Sequence, residues 1–191
     1  MQLSKNFSLN ELVKSQTAMR LGINNTPSSQ EIFNLKNLCE NVLQRVRDRF
    51  KQPVIINSGY RSVKLCKAIG SSGKSQHAKG QAADIEVMNL DNKVVAEWIK
   101  NNLDYDQLIL EFYKESEGPR SGWIHVSYVS DNPRKQALLA DKDKNNKTRY
   151  MPWLWVEVKC VNKWQKVLKN VSLQRLEKRK ERCYYNERWY Y

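Results

Sequence analysis

Tyr105-Asp106-Gln107-Leu108-Ile109-Leu110-Glu111-Phe112 and, beyond a polar loop, Gly122-Trp123-Ile124-His125-Val126-Ser127-Tyr128 decide how this chain folds. Both runs are short and apolar, and the loop between them contains Gly118-Pro119, so they read as two strands of an antiparallel hairpin. Folding about that loop brings Glu111 opposite the Trp123 to His125 region. A carboxylate and an imidazole then share one neighbourhood, provided the register is the one that the alternation suggests.

Toward the amino terminus, Ile85-Glu86-Val87 alternates like a further strand, and Asp91 is placed to cap a helix with Val94, Val95, Trp98 and Ile99 at helical spacing. Trp98 reads as a core anchor. The β-branched run Pro53-Val54-Ile55-Ile56-Asn57-Ser58 predicts a central strand that stops at Gly59 and delivers Tyr60 and Arg61 to its end. Residues 62–69 predict a helix ending at Gly70, and Ser71-Ser72-Gly73-Lys74 a loop. Ser28 with Glu31, and Ser8 with Glu11, have the spacing of capping boxes. The first opens a helix to Phe50, with Ile32, Leu35, Cys39, Val42, Val46 and Phe50 on one buried face.

Toward the carboxyl terminus the composition shifts. Residues 132–191 hold 16 of the 33 Lys and Arg but only 6 of the 20 Asp and Glu, so most of the net charge of +13 sits there. Residues 139–150, with Asp141-Lys142-Asp143-Lys144-Asn145-Asn146-Lys147, read as a charged linker. Residues 151–191 read as a basic, aromatic extension, with a strand at Trp153-Leu154-Trp155-Val156-Glu157-Val158 and then an amphipathic helix.

The chemistry concentrates on the two histidines. His77 lies in Ser75-Gln76-His77-Ala78-Lys79-Gly80-Gln81-Ala82-Ala83-Asp84, where small residues let the backbone turn closely between imidazole and carboxylate. His125 stands on the later strand. A lone histidine on an apolar face is usually a packed core residue, but His77, Asp84 and His125 together make the N/O set of a catalytic zinc, with a fourth position left for water. Asp84 at the start of an apolar strand would be costly without a compensating charge. Ser75 reads as a local hydrogen-bonding residue and Trp123 as a pocket wall or core residue.

Ser-Gly-Tyr-Arg-Ser at 58–62, Ser-x-His-x-x-Gly-x-Ala-x-Asp from Ser75, Asp-Gln-Leu-Ile-x-Glu ending at Glu111, and Trp-Ile-His-Val-Ser from Trp123 together resemble the zinc D-Ala-D-Ala carboxypeptidase and L-alanyl-D-glutamate endopeptidase family. The resemblance covers residues 1–138. It implies an α+β domain with a small, mainly antiparallel sheet flanked by helices, and a zinc held by His77, Asp84 and His125. It further implies hydrolysis of peptidoglycan stem peptides, with Glu111 as general base and Arg61 facing the site. Tyr60, Ser75 and Trp123 join Arg61 as substrate-contacting candidates. Where some members carry Glu-x-x-His, this chain has Gly122, so the base is expected from the preceding strand instead.

The amino-terminal residues lack the apolar run of a signal peptide, which sets the expectation of synthesis in the cytoplasm and action on the wall after release or from a virion, as for a phage lysin. Cys39, Cys66, Cys160 and Cys183 have no metal-binding or redox spacing and read as reduced thiols. A binding protein that keeps the fold without the reaction is the alternative. Residues 151–191 suit an anionic polymer, a membrane surface or a virion protein, whereas specific nucleic-acid binding rests on net charge alone.

Overall fold

Strands whose side chains alternate between the two faces of a sheet bury one face and leave the other for chemistry, and this chain uses that alternation throughout. The structure, a computed structural model, describes residues 1–153. A short antiparallel pair, β1 (Gln2–Ser4) and β2 (Phe7–Ser8), precedes the helices α1 (Leu9–Val13), α2 (Gln16–Arg20), α3 (Ser29–Leu38) and α4 (Gln44–Phe50). The chain continues through β3 (Val54–Ser58), α5 (Val63–Ala68), β4 (Ala82–Val87), α6 (Asn92–Asn102), β5 (Gln107–Glu111), β6 (Trp123–Ser127), β7 (Gln136–Lys142) and β8 (Thr148–Pro152). The last six of these strands form one sheet in the order β3-β4-β6-β5-β7-β8, antiparallel except where β5 meets β7. The α+β class is as the motifs imply.

Both capping boxes form. Ser8 and Glu11 start α1, and Ser28 and Glu31 start α3, each serine accepting the N–H that its glutamate's position supplies. Between α3 and α4 the winding widens to one π-helical turn, Cys39–Leu43, without ending the rod. Its inner face carries Leu35, Leu38, Cys39, Val42 and Val46 into a single core with Val95 and Ile99 of α6 and with Ala83, Ile85, Leu108, Leu110, Ile124 and Val126 of the sheet. Burial, helped by Glu11 and Glu40, pushes the Cys39 thiol up to about 12, so it is an inert packing group.

Two expectations change. Among the described residues the run at 54–58 is an edge strand, paired with β4 and with no strand on its other side. Residues 139–150 are no linker: β7 and β8 form a hairpin that extends the sheet. Gln136-Ala137-Leu138-Leu139-Ala140 supplies an apolar run in parallel register with β5, Gln107 to Gln136 through Glu111 to Ala140. The charged stretch is only the hairpin tip, where the Asp143 carboxylate accepts from the N–H groups of Asn145 and Lys147. The strand and helix expected beyond residue 153 lie outside the described residues. Among the described residues, no helix is long and apolar enough to cross a membrane.

Candidate metal centre

Glycine and serine chemistry sets the first histidine. Ser75 caps a short 3-10 turn, Gln76–Lys79, its hydroxyl accepting from the His77 N–H at 3.3 Å. Gly80 closes that turn at φ 66, packed so tightly that an added Cβ would lie 2.4 Å from the Glu31 carbonyl oxygen. His77 then points Nδ1 at the Gly59 carbonyl, 2.7 Å away. A carbonyl only accepts, so Nδ1 carries the hydrogen and Nε2 presents a lone pair.

That lone pair meets two groups from the sheet. Asp84 on β4 and His125 on β6 are direct cross-strand partners. The Asp84 Oδ1 lies 2.9 Å from His125 Nδ1 and 3.2 Å from His77 Nε2, and the two imidazole nitrogens are 3.2 Å apart. Ligand atoms at 2.0–2.1 Å around a tetrahedral ion would stand about 3.3 Å from one another, so the three donors already approach the edges of a zinc-sized tetrahedron. All three residues are buried, and the donor set, two neutral nitrogens and a carboxylate oxygen, suits zinc. Burial alone would raise the Asp84 carboxyl, but the two imidazoles hold it well below the ordinary carboxylate range.

Arg61 takes part in this cluster. Its Nε donates to Ser58 Oγ at 2.7 Å, and its Nη2 donates to the Asp84 carboxylate and to His77 Nε2, the latter at 3.1 Å. The guanidinium therefore uses the same lone pair that a metal would take. Beside it, the buried Asp106 carboxylate accepts from Arg134 Nε and from Gln76 Nε2 at 2.8 Å, which braces the residue next to His77.

Glu111 stands where the hairpin reading expects it, paired with Trp123 across β5 and β6. It lines a cleft of about 740 Å³ together with Arg61, Ser75, His77, Asp84, Trp123 and His125. Burial and the Asp84 charge push its carboxyl up, partly opposed by His125 and Arg61. Gly122 leaves no room for a glutamate at its own position. At φ 62 an added Cβ would lie 2.0 Å from the Glu111 carbonyl oxygen, so no side chain fits three residues before His125.

One candidate falls elsewhere. Tyr60 is buried in the hydrophobic core, with Glu31 near its hydroxyl, and does not line the cleft. Past the end of β3, Arg61 turns to the site and Tyr60 inward. Residues that the sequence reading passes over are Ser58, the Gly59 carbonyl, Gln76, Asp106 and Arg134. Ser58 and Gly59 lie inside the Ser-Gly-Tyr-Arg motif and were in view. The pairing of Asp106 with Arg134 spans distant segments and leaves no local pattern.

The family model described as Peptidase M15 matches residues 5–127, which takes in every ligand candidate and Glu111 and stops before β7. No curated protein matches the chain.

Proposed function

Because the chain belongs to the peptidase M15 family, a family of metallopeptidases, we propose that it is a zinc-dependent hydrolase of peptide bonds in peptidoglycan stem peptides. The observation that carries this reading is the near-equilateral set of donor atoms, 2.9 to 3.2 Å apart, from His77, Asp84 and His125. These three residues would hold the ion. Zinc supplies Lewis-acid polarisation of a carbonyl and activation of water.

The remaining chemistry belongs to side chains. Glu111, with its carboxyl pushed up by burial, is suited to take a proton from the attacking water and to hand it to the leaving amine. Arg61, anchored on Ser58, presents a guanidinium for negative charge developing on the substrate or for a substrate carboxylate. Ser75 fixes the turn that carries His77, and Trp123, its ring 5.2 Å from that of Phe112, walls the cleft. The motif resemblance supports a cell-wall role of the phage-lysin kind, with synthesis in the cytoplasm and delivery by release or in a virion. In the same reading residues 151–191 attach the enzyme to an anionic polymer, a membrane surface or a virion protein.

A second reading draws on Arg61. Its bonds to Asp84 and His77 neutralise the cluster without any ion, as a binding protein that keeps only the fold would require. Zymography of the full chain on purified peptidoglycan separates the two. The peptidase gives clearing that a chelator abolishes and zinc restores, whereas retention on the wall without clearing supports the binder. Mass spectrometry of the released muropeptides then distinguishes carboxypeptidase from endopeptidase cleavage.

A further inference from the structure

The hairpin β7–β8 lies beyond the segment that the family model matches, yet it builds one side of the cleft. Glu111 pairs with Trp123 on one side and Ala140 on the other, and Ala140 pairs with Tyr150. These four residues form a single row across one face of the sheet, with the small Ala140 itself buried between the positions of the carboxylate and the phenol. Lys142, two residues further along β7, shares that face and sits opposite Thr148.

The Lys142 ammonium is held in place. It donates to Thr148 Oγ1 at 3.0 Å and lies 5.1 Å from the centroid of the Phe112 ring, within cation–π range. Phe112 adopts φ 54, a backbone conformation that bulky residues rarely take and that recurs where function demands a fixed geometry. Its ring contacts both the indole of Trp123, with centroids 5.2 Å apart, and the ammonium. The other fixed cations of the cleft belong to the metal cluster and its brace, Arg61 beside Asp84 and Arg134 on Asp106. Lys142 has no carboxylate partner among the described residues. Lys74 lines the cleft too, but among the described residues its ammonium has no comparable anchor.

We infer that Lys142, positioned by Thr148 and Phe112, is a binding site for a carboxylate carried by the substrate peptide at a distance from the cut bond. From strand spacing, four residues along and two strands across, the backbones of Lys142 and His125 are roughly 17 Å apart, the reach of about five extended residues. The two side chains reach toward each other and shorten that span, so the ligand is an acidic peptide of a few extended residues. This inference rests on the peptidase reading and deepens it by giving the substrate a charge and a length.

The test compares two probes, a stem pentapeptide with free side-chain carboxylates and the same peptide with those carboxylates amidated. Each is titrated calorimetrically into the zinc-loaded full chain carrying Glu111→Gln, which prevents turnover. Adding Lys142→Met weakens binding of the acidic peptide about tenfold and leaves the amidated peptide unchanged, as loss of one charge-assisted hydrogen bond requires. Lys142→Arg, which keeps the charge, retains the preference and shows that the fold is intact. An equal loss for both peptides, no loss for either, or no binding of the acidic peptide at all overturns the inference. Cleavage of the acidic peptide by the native chain is scored separately, so absence of turnover contradicts the peptidase reading while the binding difference still decides the subsite.

Discussion

The two faces of the six-stranded sheet are made by neighbouring residues of the same strands, and they do opposite things. Ala83, Ile85, Leu108, Leu110, Ile124 and Val126 face the helices and are buried with apolar neighbours. Asp84, Ile109, Glu111, Trp123 and His125, one position away in each strand, face the cleft. A period of two thus lets β4, β5 and β6 serve as core and as active-site floor at once. The covered face supplies stability, and the open face concentrates charge that the fold must neutralise by pairing or by a metal.

Substitutions on the open face are expected to remove metal and activity, and those on the covered face to remove stability. The largest effect expected is from Asp84→Asn, which removes the only anionic donor of the set. Zinc affinity falls by more than about a hundredfold and hydrolysis disappears, as read by metal titration and muropeptide release. Glu111→Gln comes next, with turnover lowered roughly 10²- to 10⁴-fold and bound zinc retained. Undiminished turnover in that variant removes Glu111 from the mechanism.

On the covered face the readout changes from activity to stability. Leu108→Ala, at a fully buried position, lowers the unfolding free energy by about 2–5 kcal/mol in urea titrations while zinc still binds one-to-one in the folded protein. Loss of zinc without loss of stability would show that the two faces are not separable. The α3 cap is a milder probe, since Ser28→Ala breaks a capping box and lowers stability by about 1 kcal/mol.

The smallest effect is a dependence of stability on pH. Burial and the Asp84 charge raise the folded carboxyl of Glu111 above its unfolded value. Its protonated form favours the fold, and that contribution is lost as pH rises from about 4 through the raised value. In metal-free protein the stability of Glu111→Gln relative to the native chain therefore grows toward neutral pH. Urea unfolding across pH 4 to 7 checks this, and a constant gap contradicts the assigned environment.

Much of this was legible in the residues. The capping boxes at Ser8 and Ser28 are local signals, and so is the polar loop that folds β5 onto β6 and sets Glu111 against Trp123. The convergence of His77, Asp84 and His125 was readable because small residues and strand alternation leave few other places for them. The parallel pairing of β7 with β5 was not readable, because a parallel neighbour arrives by a crossover and leaves no turn signal. The charge of Asp141 to Lys147 then disguised a hairpin tip as a linker. Tyr60 was misplaced because nothing in the run shows which of two adjacent residues past the end of β3 turns to the core.

Equilibrium dialysis of the full chain against zinc, followed by elemental analysis of native protein, His77→Ala and His125→Ala, tests the central claim most directly. One zinc per native chain, with neither variant retaining it, is the result the geometry requires. A native chain that holds no zinc, or variants that hold as much as the native chain, would contradict the metal centre and the reaction built on it.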